Sequence, residues 1–122
     1  MAWQEQLRGD PLPWLLESDS PGVRFLVLRD ILALPHNSGE LCAARRAAYH
    51  AGPIATVLAA MDETGYWVEP GLGYNPKYLS TVWSVILLAQ LGAHVDEDQR
   101  VATACAYLVA HALTQGRQFT AS

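Results

Sequence analysis

The sequence predicts an all-α fold, and three observations predict it. Apolar residues recur at helical spacing between clear Gly and Pro breaks. No stretch shows the sustained alternation of a strand. One unit, a helix running into a glycine and then an aromatic residue, occurs twice: at Gly65-Tyr66-Trp67 and at Gly116-Arg117-Gln118-Phe119. The two aromatics stand about fifty positions apart, within the period range of stacked helical repeats.

The elements follow in order. Asp10-Pro11 and Ser20-Pro21 each place a capping side chain before a proline, a preferred helix start. They predict a short helix over Leu12 to Glu17 and a longer one over Val23 to Leu34. In the longer one Val23, Leu26, Val27, Ile31 and Leu34 form the expected buried stripe. Pro35 to Gly39 turns the chain into an alanine-rich helix over Glu40 to His50, high in helix propensity. Gly52-Pro53 breaks it and starts the next, whose buried face is Ile54, Val57, Leu58 and Met61.

Residues Glu69 to Lys77 carry two prolines and two glycines and predict an ordered loop. Tyr78 to Leu91 has only Thr81, Ser84 and Gln90 as polar members, the pattern of a helix buried on more than one side. Glu97 to Leu113 closes the series, its many alanines permitting close packing.

An apolar helix, an acidic turn and then G-x-W resembles the repeat of the terpene cyclase and protein prenyltransferase superfamily, the prenyltransferase and squalene oxidase repeats. Thr81 to Gly92, with its Thr start and Leu-Gly finish, is similar to that family's inner helix. Met61 stands near the place where the repeat usually carries Gln, a departure that removes one turn hydrogen bond. The resemblance covers roughly residues 54–119, with repeats around 54–67 and 101–119. It implies antiparallel helical hairpins forming an incomplete α/α-toroid. Residues 1–122 then make a single domain of two to three hairpins, too few to close a ring. The expected remedy is a longer native chain, of which this is the N-terminal part, or self-association that covers the open faces.

Composition sets limits on function. The formal charge of −4 offers no basic footprint for nucleic acid, and Arg45-Arg46 is the sole basic doublet. No stretch approaches the apolar length of a membrane span, and the first residues lack a secretion signal. Cytoplasm is the expected compartment. Cys42 and Cys105 lie among alanines and aliphatics, where a thiol behaves as a small hydrophobe.

Chemical motifs are sparse. Proton-initiated cyclases of the resembled superfamily use D-x-D-D. Here the run reads Asp96-Glu97-Asp98-Gln99, at a predicted helix start where Asp96 makes a good N-cap. The zinc set of the protein prenyltransferases has no counterpart, since neither cysteine has an acidic residue two positions before it. No i, i+4 histidine pair, phosphate-cradling loop or nucleophile elbow is present. The sequence therefore assigns no catalytic residue, no metal and no cofactor.

What remains is aromatic. Tyr66, Trp67, Tyr74, Tyr78 and Trp83 cluster around the loop, with Glu69 and Lys77 among them. In the resembled superfamily aromatic rings line a cavity for isoprenoid chains. That resemblance implies an isoprenoid-like ligand against Trp67, Tyr74, Tyr78 and Trp83, with Lys77 near a helix start for an anionic head group. The other reading of the same residues makes the tryptophans core anchors and the tyrosines ties for the loop. Two further readings stand beside these. One is a fragment of a cyclase or prenyltransferase whose catalytic residues lie elsewhere. The other is a HEAT-like helical scaffold for protein partners, which Val23 to Leu28 also suits.

Overall fold

The computed structural model describes residues 5–112, so Leu113 and the second glycine–aromatic motif, Gly116 to Phe119, lie outside the described residues. Every regular element among the described residues is helical. The chain divides into two compact units that meet in sequence at Gly52-Pro53.

The first unit holds α1 (Leu12–Leu15), α2 (Pro21–Leu26) and α3 (Gly39–His50). Just ahead of α1, whose cap position is Pro11, the Asp10 carboxylate accepts from the Leu12 amide at 3.0 Å. Ser20 does not do the same for α2: its side chain makes no capping bond, and Pro21 alone sets the start. Helix α2 passes directly into a π turn over Val27–Ile31, in which the Leu32 amide reaches the Val27 carbonyl at 2.9 Å. The expected stripe is buried only in part: Val27 is buried, and Leu26 and Leu34 are half-buried. Phe25, Val27 and Leu28 are buried, while Val23 and Ile31 are exposed. Ala33, at φ +50°, then ends the segment in the left-handed region, with the Leu34 amide bonded to the Leu28 carbonyl.

Helix α3 starts with the Ser38 hydroxyl accepting from the Leu41 amide. It buries Leu41, Ala44, Ala48 and Tyr49 and packs on α2. Of its alanines, Ala44 and Ala48 are on the buried face. Above Phe25 lie the guanidinium groups of Arg29 and Arg45, 5.5 and 5.8 Å from the ring centre. Arg24 crosses to Glu40 at 3.1 Å and also donates to the Leu16 carbonyl.

The second unit holds α4 (Pro53–Ala59), α5 (Thr81–Gln90) and α6 (Gln99–Ala112), with α5 in contact with both others. Ile54 and Leu58 are the buried residues of α4. Helix α5 begins three residues later than the sequence predicts, because Tyr78, at φ +70°, is not helical. Nor is α5 buried on several sides. Thr81, Ser84 and Leu88 face inward, whereas Ile86 and Leu87 are exposed. The polar side chains are wanted inside, as hydrogen-bond partners for the loop that precedes the helix. Helix α6 starts after Asp98, whose carboxylate accepts from the Arg100 amide at 2.9 Å. The cap is therefore Asp98, not Asp96, which stands two residues before that cap in a turn. No helix among the described residues is long and apolar enough to cross a membrane.

Candidate functional site

The site is assembled in the long connection from α4 to α5. Its first part is the G-x-W turn. The Asp62 carboxylate accepts from the Thr64 amide at 2.9 Å and from the Thr64 hydroxyl at 2.6 Å, while the Asp62 amide donates to the Tyr66 carbonyl. These bonds hold the Asp62 carboxyl below the usual carboxylate range. The same charge, beside Tyr66, raises that phenol above its ordinary value. Gly65 sits at φ +112°, and a Cβ there would stand 2.8 Å from the Thr103 carbonyl oxygen. Glycine is required on both counts.

Trp67 closes the turn. Its ring is 3% exposed, and its indole N–H donates to the Val57 carbonyl at 2.8 Å. Its backbone amide donates to the Thr81 hydroxyl at 3.1 Å. The side chain is buried among the core residues of the unit.

From Val68 to Ser80 the chain is irregular yet firmly tied. The Gly73 carbonyl accepts from the Ser80 hydroxyl at 2.7 Å and from the Val82 amide at 2.9 Å. Gly73, at φ +87°, allows that approach: a Cβ there would lie 2.9 Å from the Thr81 Cβ. The Gly71 amide donates to the Tyr107 hydroxyl, 2.8 Å away and on α6. Tyr107 in turn meets the Tyr66 ring at 5.6 Å and stacks on His111 at 3.9 Å. Sequence reasoning missed Tyr107 as a loop anchor. A contact across so many positions leaves no local signal.

The structure brings Tyr74, Lys77, Tyr78 and Trp83 together. The Trp83 indole N–H donates to the Tyr74 carbonyl at 2.9 Å. Its ring meets Tyr74 at 5.4 Å and, edge-on, Tyr78 at 4.8 Å. The Lys77 ammonium lies 5.0 Å from the centre of the Tyr78 ring, within cation–π range. Among the described residues no carboxylate pairs with it. Beside this cluster Tyr78 is 68% exposed and Leu79 63%. At the other end of the loop Val68, at φ +68°, is 61% exposed. A β-branched residue in the left-handed region is a genuine outlier, and such strain gathers at sites of function. Neither Val68 nor Leu79 stood out in the sequence, since apolar residues usually signal burial.

Other chemistry is thin. No three His, Cys, Asp or Glu side chains converge as metal ligands among the described residues. Cys42 and Cys105 are free and half-buried. Between α5 and α6 lies a small apolar cleft of about 160 Å³, walled by Val85, Leu88, Val101 and Ala104. Compared with protein-family profiles, with curated proteins and with solved structures, the chain has no match.

Proposed function

We propose that the chain is a non-catalytic helical repeat domain, built like a part of the α/α-toroid of terpene cyclases and protein prenyltransferases. Residues 66–80 form its recognition surface. The ligand is apolar and carries an anionic group, chemistry found in an isoprenoid diphosphate and in a peptide that sets a carboxylate beside apolar side chains. The observation that carries this reading is Lys77, poised over a solvent-facing Tyr78 with Leu79 next to it. The surrounding hydrogen bonds hold the loop in one shape before anything binds, which lowers the ordering cost of recognition.

Anilinonaphthalene sulfonate, an apolar probe with one anionic group, tests the surface. Its fluorescence enhancement should weaken on Lys77→Ala and fall further on the double change Tyr78→Ser with Leu79→Ser, while far-ultraviolet circular dichroism stays unchanged. Equal enhancement by all three proteins would show that the probe binds elsewhere, and would remove the loop as the recognition surface.

A further inference from the structure

We infer that the natural occupant of this surface is a short segment of a partner protein, one that sets a carboxylate beside bulky apolar side chains. This rests on the reading of residues 66–80 as the recognition surface. The partner's carboxylate meets Lys77, and its apolar groups cover Tyr78 and Leu79.

Three observations favour a protein segment. Trp83 is already in ring contact with Tyr74 at 5.4 Å and Tyr78 at 4.8 Å, so no slot opens between those rings for a hydrocarbon chain. Small-molecule sites are concave; here the apolar side chains point outward. Exposed Tyr78 and Leu79 on a tied loop instead match the anchors of protein interfaces, where tyrosine is enriched and rigidity limits the entropy lost.

Charge narrows the partner further. The loop carries one carboxylate, Glu69, in sequence beside Val68, and one cation, Lys77, beside Tyr78. An acidic group on the partner is thus steered to the Lys77 end and away from Glu69. An anionic membrane fits less well. Residues 53–112 hold Lys77 and Arg100 as cations against six carboxylates, Asp62, Glu63, Glu69, Asp96, Glu97 and Asp98. A bilayer is wide enough to meet the net negative field of all of them, whereas a short peptide meets the local charge of Lys77.

The test is selection from a phage-displayed short-peptide library on the full chain, in parallel on Lys77→Glu and on Tyr78→Ser with Leu79→Ser. The wild-type protein should enrich Asp or Glu next to Leu, Ile, Phe or Trp. A synthetic peptide of that consensus should lose about tenfold in affinity on Lys77→Glu, and equally when its acidic residue becomes the amide. The serine double variant, checked for native circular dichroism, should enrich nothing. Failure to enrich acidic–apolar peptides overturns the inference, as does consensus binding indifferent to Lys77→Glu. Lys77-dependent binding of farnesyl diphosphate or phosphatidylserine vesicles, without peptide binding, replaces the partner class and leaves the loop reading intact. Enrichment of the same peptides on the serine double variant overturns the loop reading itself.

Discussion

Trp67 shows how much one side chain carries in the second unit. Its ring is buried, its indole N–H satisfies the Val57 carbonyl at 2.8 Å, and its amide satisfies Thr81. Trp67→Ala should cost about 3–5 kcal/mol, as large core truncations do. Trp67→Phe keeps much of the volume but removes the indole donor, leaving the Val57 carbonyl with the Ala60 amide at 3.2 Å, and should cost about 0.5–1.5 kcal/mol. Urea titrations of the two variants measure both, and equal stability of all three proteins would contradict the anchor role. Asp62 adds a pH dependence. Its carboxyl is held below the usual range by bonds from Thr64, so the unfolded state takes up the proton first. The stabilisation is complete above the ordinary carboxylate range and disappears as pH falls through the lowered folded-state value. Acid should therefore loosen the G-x-W turn, seen as a lower protection factor for the Gly65 amide once the rate is corrected for pH. Asp62→Asn should reduce that acid sensitivity.

At the scale of elements, helix existence was legible and helix termini were less so. Pro and Gly mark where a helix must start or stop, and both Pro11 and Pro53 lie at starts for that reason. Capping is decided by which side chain turns toward a free amide. Composition alone does not reveal that among neighbours of similar type. Asp96 and Asp98 are equally good candidates on paper, yet Asp98 reaches the Arg100 amide and also pairs with the Arg100 guanidinium at 2.9 Å. Asp98→Ala should thus destabilise by about 1 kcal/mol and Asp96→Ala by a few tenths at most. Thermal melts of the pair decide the matter, and the reverse order would reassign the cap. The π turn at Val27–Ile31 was invisible for a related reason. It depends on the Leu32 amide bonding one residue further back than in an α-helix. The aromatic cluster was legible because its members crowd the sequence. Its exposure was not, because exposure depends on Tyr78 leaving the helical region.

At the scale of the whole molecule, apolar side chains remain on the outside of α5 at Ile86 and Leu87 and of α6 at Val109. Such surface promotes association. Sedimentation velocity should show a weight-average coefficient that rises with protein concentration, and Leu87→Glu should flatten it. A coefficient independent of concentration in the wild-type protein would contradict this. Helix α5 has a further consequence, one for variation over generations. Its inner hydroxyls hold the loop, Thr81 receiving the Trp67 amide and Ser84 lying against the Leu79 carbonyl at 3.4 Å, while its outer face is greasy. Neutral drift should then run against the usual grain of a helix. Polar replacements are tolerated at positions 86 and 87, and valine at position 81, nearly the same shape as threonine, is purged. A lineage that replaced these residues by hydrophobicity alone would gain apolar burial on α5 and lose the loop it supports.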